Sequence, residues 1–147
     1  MSVVKVMTAG LSISAILLFT GCGAKGQQFA EFKKPQENRG MVYVYRPSSF
    51  VGGGVYYDIH ATNPTTPDFI AGELVNGGYV EMDLPSGESE IWGKTEAKTS
   101  VTLDIKNGEI YCVKGGVGIG FLVGRPNLEI VDMAKCKVEI VETKKAL

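Results

Sequence analysis

The chain has 147 residues, carries 15 Lys+Arg against 16 Asp+Glu, and has a formal net charge of -1 at pH 7. There is no basic field to collect nucleic acid and no acidic block to act as a polyanionic tail, so functions driven by bulk charge are excluded. The 19 glycines, many of them set between short apolar runs, favour turns and short strands over long helices.

Lys5 is the only charged residue before Cys22, and the apolar run from Gly10 to Phe19 follows it. A run of about ten residues is too short to span a bilayer, which takes about 20, but it fits the core of a secretory signal. It closes on Phe19-Thr20-Gly21-Cys22, small residues ending in a thiol. That ending resembles a bacterial lipoprotein signal, with Phe19 where Leu is usual and Leu18 just before it. The resemblance implies cleavage before Cys22, a diacylglyceryl thioether on Cys22 and acylation of the new amino terminus. Gly23 follows the cysteine where Asp would signal retention at an inner membrane. The implied location is therefore the outer membrane, facing the periplasm. The other reading is an ordinary signal peptide with Cys22 as a bystander.

Residues 22–39 are polar and read as a tether, with Phe29 and Phe32 at helical spacing ahead of Pro35. Residues 40–142 read as one domain of length suited to a single core. Met41 to Arg46 alternates in a β-branched and aromatic pattern and is stopped by Pro47. Val55 to His60, Phe69 to Val75, Tyr79 to Leu84 and Ser89 to Thr95 read as further strands. In the fourth of these, Val80, Met82 and Leu84 share one face. Asn76-Gly77-Gly78 and Asn107-Gly108 are hairpin signals. The second predicts that Lys106 pairs with Glu109, Ile105 with Ile110 and Leu103 with Cys112, which points Cys112 into the core. Leu128 to Val131 is a late strand, Asp132 to Glu142 is open between strand and short helix, and 143–147 reads as a frayed tail. Eight or nine short strands with frequent turns predict an all-β antiparallel sandwich or small barrel, with a possible short C-terminal helix.

Few residues suggest chemistry. Cys112 and Cys136 are an even pair and a disulfide candidate, with two buried free thiols as the alternative. The spaced glycines Gly116, Gly118, Gly120 and Gly124 lack the helix that a phosphate-binding loop needs, and read as a glycine-rich strand. His60 is the only histidine; with Asp58 and a serine such as Ser48 or Ser49 it suggests a hydrolase set, against the plainer reading of a surface histidine. Tyr43, Tyr45, Tyr56 and Tyr57 are candidates for an aromatic binding face or for cross-strand packing. Arg46 and Arg125, each before a proline, are candidates for a carboxylate clamp or for structural ion pairs. No metal-ligand set and no cofactor motif stands out.

Taken in order, the motifs Met41-Val42-Tyr43-Val44-Tyr45-Arg46-Pro47, Val55-Tyr56-Tyr57-Asp58, Asn76-Gly77-Gly78-Tyr79, Leu84-Pro85-Ser86-Gly87, Lys94-Thr95-Glu96-Ala97, Asn107-Gly108-Glu109-Ile110-Tyr111 and Gly120-Phe121-Leu122-Val123-Gly124-Arg125-Pro126 resemble the bacterial lipoprotein family built on the domain of unknown function 2846. The chain departs from that pattern at Ala134-Lys135-Cys136. The resemblance implies a small β-rich domain displayed from a lipid anchor and brings no catalytic residues. The expectation is a membrane-anchored periplasmic lipoprotein whose non-catalytic domain binds an envelope protein or glycan, without nucleic acid. An envelope hydrolase using Asp58 and His60, or a purely structural envelope protein, are the alternatives.

Overall fold

The computed structural model describes residues 23–147, so the leader and Cys22 lie outside the described residues. β1 (Arg39–Tyr45), β4 (Gly78–Pro85), β7 (Ile110–Gly118), β8 (Arg125–Val131) and the two-residue β9 (Lys144–Lys145) form one sheet in the order β8-β7-β1-β4-β9. β2 (Tyr57–Asn63), β3 (Thr66–Leu74), β5 (Gly87–Lys94) and β6 (Lys98–Ile105) form the other, in the order β3-β2-β5-β6. The fold is the expected all-β sandwich. The open segment after Val131 is helical: Asp132 accepts the Lys135 N–H at 2.8 Å and caps α1 (Met133–Glu139).

Period-two alternation explains the core between the sheets. Val42 and Val44 of β1, Val80, Met82 and Leu84 of β4, and Val113 of β7 meet Ile59, Ala61, Ile91, Leu103 and Ile105 of the facing sheet. Each fully buried aliphatic side chain contributes roughly 1.5–3 kcal/mol of transfer free energy. The other face of β1 is buried as well. Met41, Tyr43 and Tyr45 lie in a second cluster with Phe29, Tyr79, Cys112, Cys136 and Ile140. A strand covered on both faces needs a third layer, and here the N-terminal segment and α1 supply it.

That layer revises the two terminal expectations. The polar segment is not a free tether: Phe29 is buried, its ring meets Tyr43 and Tyr79 edge-on, and its N–H donates to the Thr143 carbonyl at 2.9 Å. The tail is not frayed either, because Thr143 is fully buried and Lys144–Lys145 pairs parallel with β4. Burial of an apolar ring outweighs the polar composition around it.

The hairpin readings also change. β6 and β7 are in different sheets, so Asn107-Gly108 carries the chain across the sandwich. Gly108 has φ +80°, but Asn107 is not at positive φ, whereas a type I′ hairpin needs both. Asn38 also takes part, donating its N–H to Asn107 Oδ1 at 2.8 Å. β7 therefore lies parallel to β1, with Tyr43 opposite Cys112, and the sandwich is mixed where full antiparallel pairing was expected. Cys112 is buried, but in the outer cluster and not between the sheets. Asn76-Gly77 is likewise a crossing between sheets, from β3 to β4.

Candidate functional site

One end of the sandwich gathers the β1–β2 loop (residues 46–56), the β3–β4 turn, the β7–β8 loop (residues 119–124) and Gly23. Arg46 organises the first loop. Its side chain is buried, and the guanidinium donates to the Val55 carbonyl at 2.5 Å and to the Gly52 carbonyl at 2.6 Å. Burial lowers its pKa from the ordinary arginine value, and the partners are carbonyls where an ion pair or a clamp was expected. Asn76 then ties the loop to the turn, its amide accepting the Ser49 N–H and donating to the Ser49 carbonyl, both at 2.9 Å. The Asn76 carbonyl accepts the Ala24 N–H at 3.2 Å, and Gly23 forms an isolated parallel bridge with Asn76. The start of the described chain is thus pinned beside Ser48 and Ser49.

The second loop is held by Glu96, from the β5–β6 turn. Its carboxylate accepts the N–H groups of Phe121 at 2.6 Å, Leu122 at 2.9 Å and Val123 at 3.3 Å, and pairs with Arg125 at 3.1 Å. The Leu122 and Phe121 amides, followed by Arg125, hold its pKa down to about 2. With the backbone turned towards Glu96, the side chains point outward: Phe121 and Leu122 are 86% and 85% exposed, and Ile119 is fully exposed. On the first loop Phe50 is fully exposed and Val51 largely so. The loops touch through Val117: a Cβ built on Gly52 would stand 2.9 Å from the Val117 Cβ, and Gly124 abuts the Val117 side chain too.

Between the β1–β2 loop and the outer face of β7 and β8 is a cleft of about 250 Å³. Gly116 leaves it open, and Ser48, Ser49, Lys114, Asn127 and Glu129 line it with donors and acceptors. Lys114 also donates to Glu139 at 2.9 Å, while Glu139 accepts the Tyr45 hydroxyl at 2.6 Å. That hydroxyl bond, with Lys114 beside it, holds the Glu139 pKa below the usual carboxylate range.

The other sequence candidates are dispersed. Tyr43 and Tyr45 are buried in the outer cluster, Tyr57 is buried between the sheets and Tyr56 is exposed, so the four do not make one face. The Tyr57 hydroxyl donates to the Gly116 carbonyl at 2.8 Å, and burial pushes its pKa up to about 12. His60 lies on the outer face of the four-stranded sheet. Its ring stacks on Trp92 at 3.8 Å between centroids, and Lys98 stands over Trp92 at 4.7 Å. Its Nδ1 pairs with Asp68 at 2.8 Å, where the sequence suggested Asp58, and Ser48 and Ser49 lie at the loop end beside Asn76. Those residues are not assembled as a nucleophile, base and acid. Cys112 and Cys136 are joined in a disulfide with 6.2 Å between Cα atoms, tying α1 to β7. Gly116 and Gly118 lie in β7, but Gly120 and Gly124 lie in the β7–β8 loop, so the expected glycine-rich strand stops at Gly118.

Sequence reasoning missed Glu96 and the exposed tips. Ile119 to Val123 reads as a core strand by hydropathy alone; the signal against this is its bracketing by Gly118, Gly120 and Gly124-Arg125-Pro126. Among the described residues no group of His, Cys, Asp and Glu is placed to hold a metal ion, and no helix is long and apolar enough to cross a membrane. No protein-family model, curated protein or solved structure matches the chain.

Proposed function

We propose that this chain is an exported lipoprotein, acylated on Cys22 at the outer membrane and facing the periplasm, whose sandwich is a non-catalytic module binding a protein or glycan of the envelope. The anchor reading rests on the short apolar leader ending in Thr20-Gly21-Cys22. The observation that carries the binding reading is the cleft between the β1–β2 loop and the outer face of β7 and β8. It is small and of mixed polarity, carries charges of both signs and is floored by Gly116, which suits a short hydrogen-bonding segment of a larger partner and not an enclosed cofactor. The dispersal of Asp58, His60, Ser48 and Ser49 favours binding over hydrolysis.

The test is crosslinking in the intact envelope from a photoreactive residue at Asn127, with Lys106, on the far turn, as control. One reproducible adduct from position 127 alone, lost in a Lys114→Glu chain, is the expected result; protease or glycosidase digestion of the adduct tells protein from glycan. Adducts equally frequent from both positions contradict a binding role for the cleft and favour the purely structural reading.

A further inference from the structure

We infer that the loop end of the sandwich is itself a membrane-contact surface: Phe50, Val51, Ile119, Phe121 and Leu122 enter the same bilayer that holds the acyl chains on Cys22. This rests on the lipoprotein reading of Cys22.

Three observations converge. First, these are large apolar side chains standing in water at neighbouring loop tips, whereas scattered single exposures are ordinary. Second, the tips are held outward. Glu96 collects the backbone N–H groups of Phe121, Leu122 and Val123, and Arg46 collects the Val55 and Gly52 carbonyls, so the side chains cannot fold back without breaking those bonds. Third, the described chain begins at this same end. Gly23 bridges Asn76, whose side chain holds Ser49, the neighbour of Phe50. One peptide unit, about 3.8 Å between Cα atoms, joins Gly23 to Cys22. With residues 23–39 packed on the sandwich there is no slack to lift the domain away from its anchor. The lipid chains and the apolar tips therefore meet one surface.

The rim carries a small positive excess: Lys25 and Lys144 stand against Glu142, and Arg125 is paired with Glu96. The contact is accordingly mainly apolar, with a weak salt dependence where a polybasic patch would show a strong one. Tyr56, exposed just before β2, sits where an aromatic ring with a polar hydroxyl suits the headgroup boundary.

The test uses the full chain, purified with its native amino terminus and reconstituted in vesicles of phosphatidylethanolamine and phosphatidylglycerol. With Cys112 and Cys136 bridged, an added thiol takes an environment-sensitive fluorophore, in turn at Phe50→Cys, Phe121→Cys and, as control, Lys106→Cys. Quenching by doxyl-labelled acyl chains should be at least threefold stronger at 50 and 121 than at 106, with most of that difference kept in high salt. Vesicle-bound protein with equal, weak quenching at all three positions overturns the inference and leaves the anchor standing. If mass measurement shows Cys22 unmodified, the anchor reading fails separately. The same labels on a Cys22→Ser chain at high lipid concentration then decide the loops: quenching at 50 and 121 retains the contact, and its absence overturns it.

Discussion

Glu96 shows most plainly what one carboxylate does for this molecule. Three backbone N–H groups and Arg125 stabilise its charged form, so its pKa falls from the ordinary 4.5 to about 2. A depressed carboxylate contributes stability above its unfolded-state pKa and loses it as pH falls through the folded value. Acidification from about pH 4.5 towards about pH 2 should therefore loosen residues 119–124. Amide hydrogen exchange at Phe121 and Leu122 checks this: protection should fall in that window in the parent chain. In Glu96→Gln protection should already be low at neutral pH and show no such acid step. Acid-independent protection in both chains would contradict the role. In the sequence, Glu96 was one acid in a turn. What identifies it is a loop 25 residues away in sequence, and local periodicity carries no record of such a partner. Arg46 was singled out by its position before Pro47, but its partners are backbone carbonyls, which residue type does not reveal.

At the scale of elements, alternation placed the strands well and the turns poorly. Val80, Met82 and Leu84 share a buried face as their spacing requires, and β1 ends where Pro47 stops it. Asn76-Gly77 and Asn107-Gly108 specify a change of direction, but a turn does not record whether the next strand pairs with the last one or crosses to the opposite sheet. The double-sided burial of β1 was legible only as an unbroken run of apolar and aromatic residues, and its third layer comes from segments whose composition is polar. The Cys112–Cys136 bridge fastens that layer across a separation of 24 residues. Replacing both cysteines with alanine should cost about 3 kcal/mol by the chain-entropy model, lowering the melting temperature by roughly 10 °C for a domain of this size. Thermal unfolding under non-reducing conditions measures it, and an unchanged midpoint would mean that packing alone holds α1 on β7.

Over the whole molecule, sequence and structure divide the functional question between them. The proposed export signal is the leader with Cys22, and the sandwich beyond it has its loops, its cleft and its first described residue at one end. An anchor at that end fixes orientation: apolar tips towards lipid, the outer face of the four-stranded sheet with His60 and Trp92 along the side, and the Asn107-Gly108 turn furthest out. In the proposed reading, the contacts around Asn76, Glu96 and Arg46 set the direction in which the module is displayed. The anchored orientation depends on what is attached to Cys22. The direct measurement is the mass of the amino-terminal proteolytic peptide recovered from the membrane fraction. The account predicts a peptide beginning at Cys22 and carrying a diacylglyceryl group, with Cys22→Ser protein released into the soluble fraction. An unmodified Cys22, or a peptide that retains residues 1–21, would contradict it.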